Sequence, residues 1–317
     1  MQQEPAKAEI FNFNYSRRMP LPEITQGNAT KQVAFLALLA GAVAVAASTI
    51  FVRLSELGAL PSAFYRPFLA VPVIWFWLRL RPGNDGHRRP VTMSDFSRLF
   101  LAGAFFAGDL AFWHLSLHHT TVANATLFAN AAPVFVLLAH WLIFRRRIDP
   151  ALLLGIGLAM AGAACLVGGS LTLSPAYLLG EFYGVVTAVF LASFLIAVEK
   201  LRNDFGAGTI MLWTSAGTAT VLLPVALLTG EPMIAVTAQG WLMLLGLAVI
   251  SHAAGQGLVV YALAHLPATL AATGLLFEPV AAAFMAAVLL AEPISAWQAV
   301  GGAIILWGLF IARKGCP

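Results

Sequence analysis

The feature that most constrains this chain is its succession of long apolar runs. Between residues 32 and 312 the sequence breaks into stretches of nearly equal length, separated by short polar or proline-marked joints. A helix crossing the bilayer hydrocarbon needs about 20 mostly apolar residues. Ten such spans fit: roughly 32–54, 61–80, 97–117, 121–144, 150–170, 177–199, 207–229, 239–264, 267–290 and 294–312. Spans 8 and 9 are the hardest to divide, because no Asp, Glu, Lys or Arg lies between Glu231 and Glu278. The division is placed at "AHLPAT", since Pro267 disfavours helix in the residue before it. Composition closes off the alternative: only 10% of the 317 residues are Asp, Glu, Lys or Arg and 60% are hydrophobic, whereas soluble domains carry about 25% charged residues. The expected fold is an all-α membrane protein, with the lipid bilayer covering what no soluble core could bury.

The few basic residues set an orientation. An even number of spans puts both termini on one side. That side receives Lys7, Arg17, Arg18, Lys31, Arg79, Arg81, Arg88, Arg89, Arg98, Arg145, Arg146, Arg147, Lys200, Arg202, Arg313 and Lys314, leaving only Arg53 and Arg66 elsewhere. By the positive-inside rule both termini are cytoplasmic. The net charge of +4 therefore reflects span ends and does not point to nucleic acid. Residues 1–30 are polar and proline-broken, which reads as a flexible cytoplasmic tail. Arg17-Arg18 is followed by no apolar segment of signal-peptide type, so it is not read as a twin-arginine signal. Cys165 and Cys316 form no CxxC motif and no expected disulfide.

The chain repeats itself at a shift of 146 residues. His119 meets His265, Pro133 meets Pro279, Val134 meets Val280, Ile148 meets Ile294, Gly155 meets Gly301 and Gly162 meets Gly308. The unit is five spans, with residues 31–175 as the first copy and 176–317 as the second. Five is odd, so the second copy is inverted in the membrane. Inverted repeats are typical of secondary transporters, whose substrate sites lie near the midplane between the halves.

The segments "HTTVANATLFANAAPVFVLLAHWLIF" (119–144), "LLGEFYGVVTAVFLASFLIAVEK" (178–200) and "HLPATLAATGLLFEPVAAAFMAAVLLAEPISAWQAVGG" (265–302) share an order of short turn, Ala-rich helix, central proline and following glycines. In that order and spacing the chain resembles the drug/metabolite transporter superfamily, in its EamA-type ten-span branch. The resemblance covers about residues 32–312. It implies an inner-membrane exporter of small metabolites, with spans 1–4 and 6–9 around a central cavity and spans 5 and 10 at its edge. One departure stands out. The second copy carries the family's Glu as Glu292, but the first has Arg145-Arg146-Arg147 in its place, so no role of that Glu transfers there.

Ionisable residues at mid-membrane are the functional candidates, because each costs about 2.5–3.5 kcal/mol at a helix centre. Asp109 in span 3, His252 in span 8 and Glu278 in span 9 lie at that depth. Glu278 is a candidate to bind a cation or proton, against a structural reading in which its carboxyl bonds a neighbouring helix. Asp109 has the same two readings, and His252 is either a coupling group or a packed neutral imidazole. Arg66 in span 2 is a candidate for a substrate carboxylate, or it snorkels to the outer interface. Trp113, Asn130 and Tyr261 are candidate lining residues, with Asn124, Thr126, Ser251, Gln256 and Thr273 as further neutral polar groups. Pro133 and Pro279 each remove a helix hydrogen bond, free a carbonyl and mark kinks; Pro72 and Pro224 are similar. His114 and His118 have i, i+4 spacing but no evident third ligand, so no metal site is expected.

No P-loop, GxSxG, HExxH or GxGxxG motif is present, and the loops are too short for a soluble catalytic domain. No cofactor is expected. The expectation is a secondary transporter, not an enzyme, exporting small metabolites such as amino acids by alternating access, as a monomer or homodimer in a bacterial-type inner membrane. Two alternatives stand beside it. An exchanger of nucleotide-linked or phosphorylated solutes would need more cavity cations than Arg66. A membrane-embedded enzyme would need a nucleophile–base set, for which only Ser251-His252 are adjacent, and neighbours on a helix do not face each other.

Overall fold

The computed structural model describes residues 28–80, 88–145, 148–168, 174–291 and 294–315. Most of the expected tail, Arg146-Arg147, Glu292 and Cys316 lie outside the described residues. Within them the secondary structure is helical and no strand occurs. Ten helical segments are long and apolar enough to cross a membrane. Spans 1, 2 and 3 are Asn28–Leu54, Ala59–Leu80 and Met93–His119. Spans 5, 6 and 7 are Pro150–Val167, Leu178–Leu201 and Ala207–Leu228. Span 10 is Ala296–Lys314. Spans 4, 8 and 9 are composite.

Span 4 is two helices, Val122–Ala129 and Ala132–Leu142. Span 9 is also two, Ala268–Leu275 and Glu278–Leu290. Span 8 begins as an α-helix over Ala238–Gly246, widens to a π-helix over Leu247–Gln256 and returns to α over Gly257–Ala262. The sequence expectation was a kink at each central proline. In the structure each is a local interruption: the α-helix gives way to a two-residue turn whose backbone stays in the right-handed region, Ala131 at φ −74°, ψ 0° and Phe277 at φ −73°, ψ −21°, before the second half-helix begins.

The internal repeat is visible in where helices start and stop. Both half-helix starts and the first-half end of span 4 recur in span 9 at the same 146-residue shift, and Pro150 opens span 5 as Ala296 opens span 10. Two non-glycine residues among those described have positive φ, Arg145 at 49° and Ala291 at 55°, and these too are 146 apart. A residue in the left-handed region is costly without a glycine, so its recurrence at matched helix ends shows one backbone design used twice.

Packing follows the same pseudo-symmetry. Span 1 packs on spans 8 and 9, as span 6 packs on spans 3 and 4; span 2 packs on span 7, and span 5 on span 10. The last pairing is the closest. A Cβ on Gly162 would fall 2.7 Å from the Ile305 nitrogen and 2.8 Å from the Gly301 oxygen. One on Gly308 would fall 2.7 Å from the Gly155 oxygen. Without a hydrophobic force between helices in lipid, such close backbone contact is what holds them. The small residues of spans 5 and 10 are thus packed against each other inside the chain. Large apolar side chains such as Trp75, Phe76, Leu227, Phe284 and Trp307 are exposed instead, as a lipid-facing surface requires.

This packing predicts that Gly162→Ala destabilises the protein by about 1–3 kcal/mol through overpacking. Gly157→Ala on the same helix, where nothing lies within 4 Å of a built Cβ, should leave stability unchanged. Thermal unfolding in detergent compares the two; equal melting temperatures would contradict the interface.

Candidate functional site

Proline carries no N–H, so the carbonyl four residues earlier in a helix loses its donor. For Pro133 and Pro279 those carbonyls belong to Ala129 and Leu275, the last residues of the first half-helices of spans 4 and 9. The joints tighten into shorter bonds. The Ala131 amide donates to the Phe128 oxygen at 3.1 Å, and the Leu276 amide to the Thr273 oxygen at 3.1 Å. Irregular backbone at membrane depth is tolerated where it is buried in protein or lines a cavity.

It lines a cavity here. A space of about 480 Å³ is walled by spans 1–6 and 8–10, and both Ala129 and Leu275 contribute to it. Arg66, Asp109 and Glu278 line the same space. Asp109 faces it because it shares one side of span 3 with Phe106 and Trp113, three residues before it and four after. Glu278 opens the second half-helix of span 9, where the positive end of the helix dipole favours a carboxylate. Arg66 does not snorkel outward. It is 8% exposed, as is Asp109, and its guanidinium carbon stands 5.9 Å from the centre of the Phe106 ring. Its Nε is buried and has no hydrogen-bond partner among the described residues. Both carboxyls act coulombically on Arg66, and Glu278 acts on Asp109.

The other expected residues divide. Trp113 and Asn130 line the cavity, with Thr126, Gln256 and Pro279. Pro133 is buried at the break without lining it. His252 is not among the lining residues. The π-helical segment holds it against span 7, where its Nε2 is 2.8 Å from Ser215 Oγ. Its ring sits 5.8 Å from that of Phe106, so it stands behind the wall. Its Nδ1 has no partner among the described residues. Tyr261 is not brought to the cavity at all; it lines an apolar recess of about 520 Å³ between spans 2, 7 and 8. Asn124 Nδ2 donates to Glu181 Oε1 at 2.8 Å, tying span 4 to span 6, and the Thr273 hydroxyl donates to the Thr269 carbonyl. Among the described residues no group of three metal-ligating side chains occurs.

Thr49, Thr187 and Gln298 also line the cavity and were not singled out from sequence. Hydroxyls of Thr are common in spans, so nothing in their immediate surroundings marks them. A second polar cluster was also missed. His140 Nδ1 lies 2.8 Å from Thr269 Oγ1, and His140 Nε2 lies 3.2 Å from Glu199 Oε2. The signal was available: His140 and Glu199 both fall in the last turns of spans ending on the same side.

The cavity reaches one face of the bundle. Its lining extends to Val122, Val167 and Gln298, which lie at helix ends on the face opposite the C-terminus. Toward the opposite face the His140 cluster joins spans 4, 6 and 9. On that face Arg88 also chelates Asp95 at 2.8 and 2.6 Å, and Arg98 bonds Asp204 at 2.7 Å.

The EamA-like transporter family matches this chain twice, over residues 32–168 and 178–313. The chain belongs to the EamA-like transporter family. The two EamA matches divide it within the joint between spans 5 and 6. An uncharacterized transporter of Archaeoglobus fulgidus is 27% identical over 278 residues, covering 84% of this chain and 92% of its own. The pseudopaline exporter CntI of Pseudomonas aeruginosa is 26% identical over 216 residues, covering 67% of this chain and 72% of its own. A protein of known crystal structure is 17% identical and superposes with a TM-score of 0.76 over 89% of this chain and 97% of its own. That likeness shows that the EamA fold described here is shared.

The open face has a direct check. In a background with both cysteines replaced, Ala283→Cys in the cavity wall should react with a membrane-impermeant thiol reagent added on the face opposite the C-terminus. Ala272→Cys, 2% exposed in the core, should not. Equal labelling of both would contradict the cavity's opening.

Proposed function

We propose that this protein is an inner-membrane secondary carrier that exports small metabolites, amino acids foremost, by alternating access. The observation that carries the reading is the meeting of Arg66, Asp109 and Glu278 in one buried cavity at the two helix breaks. A charged group is kept at membrane depth when it faces a substrate or ion pathway, and unwound helix ends are where carriers place such sites. In this reading Arg66 receives a substrate carboxylate. Glu278 and Asp109 receive an ammonium group or the coupling ion, while Trp113 and Asn130 contact the substrate's body. His252, bonded to Ser215, supports the wall through Phe106. The breaks at Pro133 and Pro279 serve as hinges between two five-span halves, residues 31–175 and 176–317.

Orientation follows from the basic side: both termini cytoplasmic, hence a cavity open to the outside and a His140–Glu199–Thr269 closure on the cytoplasmic side. The family relation supports transport, and a relative named as an exporter supports the direction. Among the described lining residues Arg66 is the one cation, which disfavours phosphorylated solutes. A carrier is favoured over an enzyme because the buried Ser215–His252 pair lies outside the cavity. The carrier acts as a monomer or homodimer in this reading.

Counterflow in proteoliposomes, with a panel of labelled amino acids at two pH gradients, tests the reading. The expected result is uptake of a subset, reduced at least about tenfold by Arg66→Met and altered in pH dependence by Glu278→Gln. No uptake of any amino acid would sink the amino-acid assignment. Normal uptake by both variants would remove the site from the cavity.

A further inference from the structure

The Ala129 and Leu275 carbonyls share three properties. Each is deprived of its helix donor by a proline four residues on. Each ends a half-helix, where the dipole is negative. Their residues both line the central cavity, and the two occupy equivalent places in the repeat. The pseudo-symmetric breaks therefore place two carbonyls, each short of its ordinary helix donor, beside one space. Glu278 adds a carboxylate to the same space, and it has no counterpart in the first repeat, where Ala132 stands.

The charge count points the same way. Arg66 is cationic at any physiological pH. Two carboxyls, Asp109 and Glu278, line the cavity with it, and no other Asp, Glu, Lys or Arg among the described residues does. Ionised together they leave one negative charge in excess. In a low-dielectric site that excess is expensive, so both carboxyls ionise together only when a cation enters to compensate them. His114 and His252 lie outside the lining, so neither imidazole is placed to do so. An ammonium group has three donors, which matches two carbonyls and a carboxylate.

We propose that the Ala129 and Leu275 carbonyls together with Glu278 form a seat for one monovalent cationic group, so that the cavity favours ligands carrying one positive charge in excess. The seat deepens the carrier reading and rests on it. Its occupant is either the ligand's own ammonium or an alkali cation bound beside a zwitterion. The two sources share one chemistry and differ in what must be added.

The test uses the purified full-length protein and calorimetric titration with lysine and with norleucine, which has the same chain length without the terminal amine. Each is run in choline chloride and in sodium chloride. If the ammonium is the occupant, lysine binds at least about tenfold more tightly than norleucine in choline. If a co-ion is the occupant, norleucine binds in sodium and loses about tenfold in choline. In either case Glu278→Gln abolishes the difference. Pro279→Ala narrows it, because the restored amide takes up the Leu275 carbonyl. Pro224→Ala, on the exposed side of span 7 and outside the cavity, leaves it intact. Norleucine binding as tightly as lysine with no sodium dependence would overturn the seat while leaving the carrier reading standing. So would a preference that survives Glu278→Gln. Failure of every one of these ligands to bind would overturn both.

Discussion

The bilayer core offers no water to a backbone amide, and the rest of this structure depends on that constraint. Ten helices satisfy it by internal hydrogen bonding; prolines stand inside four of them, and in spans 4 and 9 the α-helix is interrupted at the proline. A lipid-facing break would leave carbonyls unsatisfied in hydrocarbon at a cost of several kcal/mol. Both breaks accordingly lie inside the bundle, and Ala129 and Leu275, whose carbonyls lose a helix donor, line a shared cavity. The charged residues obey the same rule. Arg66 and Asp109 are buried from lipid while lining that space, and Glu278 opens the helix that begins immediately after one break.

The two halves are built alike and used differently. Helix starts, helix breaks and left-handed ends recur 146 residues apart, and the glycine contacts between spans 5 and 10 exchange places under the same shift. The ionisable residues of the cavity do not recur. Arg66 and Asp109 belong to the first half, Glu278 to the second. Architecture is thus symmetric, while the placement of ionisable residues in the cavity is not. The ties at one end of the cavity, through His140, Thr269 and Glu199, join spans 4, 6 and 9, so opening that end requires the two broken spans to part.

Much of this was legible in the sequence because a membrane makes length and charge informative. Span lengths, the joint at Pro267, the repeat and the inward placement of Asp109 and Glu278 all follow from residues that lipid does not tolerate. What was not legible has a common physical cause. In a membrane the lipid face and the packed face of a helix are equally apolar, so periodicity does not reveal rotation. Tyr261 lies on the wrong side of span 8 for the cavity, and the pairing of His252 with Ser215 in place of its neighbour depends on how spans 7 and 8 are turned. The π-helical stretch over Leu247–Gln256 has the composition of an ordinary helix. Thr49, Thr187 and Gln298 join the cavity only through the assembled geometry.

The central claim is that the space around Glu278 is the one the transported solute enters. Carbodiimide modification of Glu278 in native membranes, read by mass spectrometry of the peptide carrying it, tests this most directly. The account predicts an adduct at Glu278 whose formation slows in proportion to occupancy when a transported amino acid is present. An adduct whose rate is unchanged by every solute the protein carries would contradict it.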